Sequence, residues 1–253
     1  MIPLKENNKD IKIEKVSFQY EGPKSPYILK NINLHIPKEK ITAIVGASGS
    51  GKTSLVKLLL KFYEPIIGNI YYGDEDLKNI SPLSLRKISG VVMQDGFIFS
   101  DTIERNIATG DEEIDYHKLN KAIEIANIKS FIEEKPLGLK TKIGASGNGL
   151  SGGQKQRILI ARAVYKNPHY IFFDEATSAL DAENEKIIHD NLQSFFKGRT
   201  VIIVAHRLST VKNADQIIVL KKGQIVEQGN HKELVSKKGE YYNLIKNQLE
   251  LGT

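Results

Sequence analysis

Hydrophobic and polar positions alternate near the start of the chain, with Ile11 and Ile13 on one parity and Val16, Phe18 and Tyr20 on the other. This predicts a strand with a slip near Glu14-Lys15, where a bulge would absorb the extra residue. Gly22-Pro23 ends it, and Ile32, Leu34 and Ile36 alternate again until Pro37, so an antiparallel β region is expected. The pattern changes at Ile41. Ile41 to Val45, Tyr170 to Phe173, Val201 to Ala205 and Ile217 to Leu220 are short apolar runs without alternation. Strands covered on both faces read this way, so these runs predict a parallel sheet. They end in Gly46, Asp174, His206 and Lys221. Ligands of open α/β sheets sit beyond the carboxyl ends of the strands, which directs Asp174 and His206 toward one crevice. Between Ser81 and Lys166 helical signals dominate. Asp115 to Glu134 spaces Leu119, Ile123, Ala126 and Ile132 as a helix does, and Lys232 to Leu251 also reads as helix.

Composition removes several classes of function. The charge is +6, but no arginine-rich block or basic stripe interleaved with aromatics accompanies it, so no nucleic-acid partner is expected. Cysteine is absent, which excludes disulfides, thiolate metal sites and cysteine nucleophiles. Apolar runs reach five residues or so, as in Val201 to Ala205. A membrane-spanning helix needs about 20.

The strand Ile41 to Val45 leads into Gly46-Ala47-Ser48-Gly49-Ser50-Gly51-Lys52-Thr53-Ser54, and Leu55, Val56, Leu58 and Leu59 then begin a helix. Glycines let successive backbone N–H groups turn inward on phosphate oxygens, and the helix start adds partial positive charge. Lys52 supplies a full charge near the β- and γ-phosphates, and the Thr53 hydroxyl can ligate Mg²⁺. The segment therefore predicts a nucleotide site.

Tyr170 to Phe173 runs into Asp174-Glu175. Beside a phosphate loop, Asp174 would hold Mg²⁺ and Glu175 would act as general base or orient water. The alternative is that Asp174 only caps the following helix. His206 ends the next apolar run and is expected to contact the γ-phosphate. The other histidines have no comparable placement.

Leu150-Ser151-Gly152-Gly153-Gln154, followed by Lys155-Gln156-Arg157 and an apolar helix, is a second anion site by its chemistry. Ser151 can cap, and Gly152-Gly153 permit close backbone approach to a helix start. This segment resembles the signature motif of the ATP-binding cassette (ABC) family. In that family the second site grips the ATP held by another copy, which implies a head-to-tail dimer with two ATPs at its interface.

Further motifs follow in family order. Tyr20 resembles the aromatic that stacks on adenine, with a half-buried strand tyrosine as the alternative. Gln94 resembles the glutamine that touches Mg²⁺ and water and links to the membrane domain. Ser178-Ala179-Leu180-Asp181 resembles the D-loop at the dimer interface, and Ala205-His206-Arg207-Leu208-Ser209 the switch-histidine segment. Phe97 to Ile103 with Asn106-Ile107-Ala108 is similar to the exporter version of the segment after the glutamine. The wording is similar to bacterial exporters that carry a peptidase domain and secrete peptides. Exporters usually place glutamate after the glycine ahead of the signature, whereas here Gly144 is followed by Ala145. The family's cross-talk contact therefore does not transfer directly to this position.

The resemblance implies an α/β fold with a RecA-like phosphate-loop core, an N-terminal antiparallel β part and an inserted helical subdomain. One domain over 1–253 is expected, with the core at about 1–84 and 161–253 and the helical part at about 85–160. It implies ATP hydrolysis with Mg²⁺, driving export at the cytoplasmic face of a bacterial inner membrane. A transmembrane domain fused upstream is expected as partner. The alternatives are a separate cytosolic transporter subunit and a soluble non-transport ABC ATPase. The latter would be expected to carry a second cassette or a long coiled-coil insertion.

Overall fold

The computed structural model describes residues 9–144, 149–174, 179–205 and 208–251. In chain order the strands are β1 (Ile11–Phe18), β2 (Leu29–Ile36), β3 (Ile41–Val45), β4 (Ile67–Tyr72), β5 (Glu75–Asp76), β6 (Ser89–Val92), β7 (Asp101–Thr102), β8 (Lys142–Ile143), β9 (Tyr170–Asp174), β10 (Thr200–Val204), β11 (Gln216–Lys221) and β12 (Gln224–Gly229). The helices are α1 (Lys52–Leu59), α2 (Pro82–Ile88), α3 (Ile103–Ile107), α4 (Tyr116–Ile125), α5 (Lys129–Glu133), α6 (Gly152–Tyr165), α7 (Ala182–Phe196), α8 (Leu208–Val211), α9 (His231–Lys237) and α10 (Glu240–Leu251). No helix among the described residues is long and apolar enough to cross a membrane. The chain divides into two compact units, one of Met1–Lys87 with Gly198–Thr253, the other of Ile88–Lys197.

In the first unit β2, β1, β4 and β5 form an antiparallel sheet in that order. The expected slip is present. Register shifts between Ile13 and Val16, Lys15 takes φ 52°, and its N–H donates to Asn33 Oδ1 at 2.9 Å. The extra residue lets Ile11, Ile13, Val16 and Phe18 all reach the core although their parity changes. The apolar runs of this unit form the expected parallel strands, with β10 and β11 both parallel to β3. Their residues are almost wholly buried. β12 adds an antiparallel edge to β11, half-exposed along its length.

In the second unit β6 and β9 pair in parallel and β7 and β8 in antiparallel. α6 packs against α3, α4 and β6, burying Ile158, Leu159, Ile160 and Val164. The helix expected over Asp115 to Glu134 is two helices. Asp115 caps α4 by accepting from His117 and Lys118 N–H, at 3.0 and 3.1 Å. Asn127 then takes φ 49° before α5 begins, a left-handed conformation that asparagine tolerates better than most residues. In the first unit the terminal stretch breaks likewise. Lys238 adopts φ 50° at the end of α9, separating it from α10.

Candidate active site

Two groups of candidate residues emerge, one in each unit. In the first, β3 carries the chain into the phosphate loop and α1 carries it away. Leu55, Val56, Leu58 and Leu59 anchor α1 in the core, each burial stabilising by about 1.5–3 kcal/mol. Gly46 and Gly51 take φ 155° and 106°. A side chain on Gly46 would run into the Leu220 carbonyl, and a Cβ on Gly51 would lie 2.7 Å from Leu29 Cδ2. Gly51 caps α1 without a side-chain hydrogen bond, so the N–H groups of the first turn are left for an anion.

Lys52 is buried, and its ammonium donates to the carbonyls of Gly46 at 2.8 Å and Ala47 at 3.0 Å. It thus spans its own loop. Ser48, Gly49 and Thr53 are exposed along the rim. Ser50 is 4% exposed, and its hydroxyl has no hydrogen-bond partner among the described residues. An orphaned buried hydroxyl in a glycine loop at an uncapped helix start fits a polyphosphate.

Tyr20 follows β1 and stands beside α1. Its hydroxyl lies 2.8 Å from Ser54 Oγ. Its ring meets Phe18 and Tyr63 edge-on, with centroids 4.9 and 5.1 Å away, yet the residue remains 44% exposed. An exposed ring braced at its edges can receive a nucleobase. Ser54, expected among the nucleotide contacts, places its hydroxyl on this tyrosine.

In the second unit Val92 is in register with Phe173 on parallel strands. Gln94 and Asp174 therefore leave β6 and β9 at the same carboxyl edge. Asp174 is 3% exposed, whereas Gln94 is exposed. Ser151 begins α6 with a reciprocal cap. Its Oγ accepts Gln154 N–H at 3.1 Å, and Gln154 Oε1 accepts Ser151 N–H at 2.9 Å. Ser151 and Gly152 are exposed at this helix start.

Asp181 caps α7, accepting Asn184 N–H at 2.9 Å and Asn184 Nδ2 at 2.7 Å. The backbone bond first, and the side-chain bond second, hold its carboxyl below the usual range. Glu175, Ser178, His206, Arg207 and Ala145 lie outside the described residues. Among the described residues no group of three or more histidines and carboxylates is placed to hold a metal. Of the expected Mg²⁺ donors, Thr53 belongs to the first unit and Gln94 and Asp174 to the second; their hydroxyl, amide and carboxylate oxygens are hard donors of the kind Mg²⁺ takes alongside waters and phosphate oxygens.

The segment after Gln94 is held rigidly within this unit. Asn106 is fully buried, accepts Phe99 N–H at 2.8 Å and donates to the Phe99 carbonyl at 3.0 Å. Arg162 donates to the carbonyls of Asn106 and Phe97 at 2.7 and 2.8 Å, and burial lowers its pKa to about 10. Phe97 and Phe99 are left exposed and edge-to-face, 5.3 Å apart. No roles for Arg162 and Tyr63 follow from the sequence, because their partners are distant along the chain.

A mixed α/β fold with a glycine-rich loop between a parallel strand and a helix defines a phosphate-loop nucleotide-binding protein. The profile of the ABC transporter family matches residues 29–178. The chain belongs to this family. It is similar to the alpha-hemolysin translocation ATP-binding protein HlyB of Proteus vulgaris, at 48% identity over 244 residues. It is also similar to the leukotoxin translocation ATP-binding protein LktB of Mannheimia haemolytica, at 47% over 250 residues. These alignments cover 96% and 99% of the chain but only 34% and 35% of the relatives' own length. A solved structure of a bacterial Atm1-family ABC exporter with ATP bound matches with a TM-score of 0.92 and 38% identity. That match covers 97% of this chain and 43% of the exporter chain.

Proposed function

We propose that this chain is the ATP-hydrolysing domain of an ABC exporter, working at the cytoplasmic face of a bacterial inner membrane to drive translocation of a polypeptide. The observation that carries the reading is the pairing of two anion-competent helix starts in one chain. One is the loop spanned by Lys52, the other the exposed start of α6 at Ser151. A single chain needs only one for its own nucleotide, so the second serves ATP on another copy, head to tail. HlyB and LktB are named for translocating a hemolysin and a leukotoxin, which supports a polypeptide cargo, and the chain spans only 34% and 35% of their length, which leaves room for a membrane domain in the same protein. The exposed Phe97–Phe99 pair is the face offered to that domain.

In this mechanism Tyr20 receives the adenine, while Lys52 and the loop N–H groups orient the phosphates. Thr53, Asp174 and Gln94 would hold Mg²⁺, which supplies neutralisation of charge on the β- and γ-oxygens. Glu175 orients a water and takes its proton as the new bond to the γ-phosphorus forms and the bond to the ADP oxygen breaks. His206 donates to the γ-phosphate. Steady-state phosphate release by the purified chain tests the reading. Glu175→Gln should cut turnover by roughly 10²–10⁴-fold with ATP still bound, and Lys52→Ala should weaken binding itself. Turnover near the parent's in Glu175→Gln would remove Glu175 from this role.

A further inference from the structure

Two separate polar bridges tie the start of α6 to the entry of α7, one to the segment that leads into it and one to its first turn, both inside the second unit. Gln156, 7% exposed, accepts the Ala179 backbone N–H through Oε1 at 2.9 Å. One residue on, Arg157 donates through NH1 to the Asn127 carbonyl at 2.7 Å and to Asn184 Oδ1 at 3.4 Å. Asn127 Nδ2 donates to the same oxygen at 2.9 Å. The other end of the Asn184 amide donates to Asp181 Oδ2 at 2.7 Å. The Asn184 side chain is therefore engaged at both ends, taking two donors on its oxygen and giving one hydrogen to the cap carboxylate of α7. Its own N–H adds a further bond to Asp181 at 2.9 Å.

Packing brings the same two segments together. A Cβ on Gly152 would lie 3.2 Å from Ala179 Cβ, and one on Gly153 would lie 3.1 Å from the Ala179 carbonyl oxygen. The break between α4 and α5 belongs to this arrangement, because Asn127 supplies both its backbone carbonyl and its amide to the bracket. Polar side chains withdrawn from water are costly unless paired. A paired network fixes one relative position of the elements it joins, where apolar contacts would tolerate several.

We infer that Asn127, Gln156, Arg157 and Asn184 are positioning residues that lock Ala179–Asp181 to the start of α6. The chain then presents a second, ATP-loaded copy with one preformed surface carrying both Ser151–Gly153 and Asp181. None of the four needs to touch the nucleotide. The inference rests on the reading above that the start of α6 serves ATP on another copy.

The test uses Glu175→Gln chains, so that ATP persists. Affinity for a fluorescent ATP analogue reports the monomer, and sedimentation velocity across an ATP titration reports dimerisation. Asn184→Leu removes both ends of the amide at similar volume. The ATP concentration for half-dimerisation should rise roughly tenfold or more, as loss of bonds to charged partners implies, with analogue affinity within about twofold of the parent's. Arg157→Met should act in the same direction, and the Asn184→Leu, Arg157→Met pair should cost less than the two effects summed, because both lesions open one bracket. If Asn184→Leu does not fold, Arg157→Met, at a half-exposed site, carries the same measurement. Dimerisation at the parent's ATP concentration in both single variants overturns the inference while leaving the two-copy reading intact, as does strict additivity. A Glu175→Gln parent that binds ATP yet stays monomeric at saturation overturns both.

Discussion

Tyr20 shows how one side chain can divide its work between a ring and a hydroxyl. The ring is open for a base, while the oxygen at its far end holds Ser54 on the helix that follows the phosphate loop. Tyr20→Ala should weaken ATP binding by about 1–3 kcal/mol, the usual value of aromatic–base stacking. Tyr20→Phe should lose only the contribution of one neutral hydrogen bond, roughly 0.5–1.5 kcal/mol. Ser54→Ala deletes the same bond, so its loss should match that of Tyr20→Phe, and the double change should add little. Equilibrium titration with a fluorescent ATP analogue checks all four. A loss for Tyr20→Phe equal to that for Tyr20→Ala would assign the whole effect to the hydroxyl. The pairing spans 34 residues of sequence, which is why an adenine contact can be expected from the motif and this partner cannot.

Among the elements, legibility follows burial. β1 betrays its bulge because Ile11, Ile13, Val16 and Phe18 must all face one core, so the slip is visible as a change of parity. β3, β10 and β11 read as strands because both their faces are covered. β12 does not stand out, since its half-exposed edge position demands little of Gln224 to Gly229. The breaks at Asn127 and Lys238 are hidden for a different reason. One left-handed residue shifts the helical phase without disturbing the apolar count on either side, so Leu119 and Ile132 read as one helix. The bracket around Asn184 draws on the α4–α5 break, α6 and α7 together, and no local pattern records it.

The entry into β1 also carries a titratable tie. Asp10 accepts Lys38 N–H at 2.8 Å and meets His35 Nε2 at 2.7 Å. The backbone bond first, and His35 second, hold its pKa below the ordinary 3.8. A carboxyl with a depressed folded-state pKa contributes stability above its unfolded value and loses it as pH falls through the folded one. Asp10→Asn should therefore lower the melting temperature at neutral pH, and the difference from the parent should shrink as pH drops below 3.8. Thermal melts across pH 2–7 give the comparison; a constant difference would remove Asp10 from acid sensitivity.

For the whole molecule, the two candidate groups belong to different units: the cradle at Lys52 to the first, and Ser151 and Asp181 to the second. The family could be read because each motif is contiguous, whereas the proposed cargo has no counterpart in a chain that spans a third of its relatives (34%). In the head-to-tail pair proposed above, every ATP site would combine the cradle of one copy with the α6 start of the other. Mixing Lys52→Ala chains with Ser151→Arg chains, both carrying Glu175→Gln, should thus yield an ATP-dependent heterodimer with one intact site. Neither variant should form such a dimer alone. Light scattering of the mixture against each component decides it, and a mixture no heavier than its parts would rule out shared sites. The lysine in that cradle has one more consequence. Because its ammonium already rests on the carbonyls of Gly46 and Ala47, the loop carries its own internal strut. Much of the ordering entropy is spent when the chain folds, so nucleotide capture resembles docking to a rigid mould more than the clenching of a slack loop.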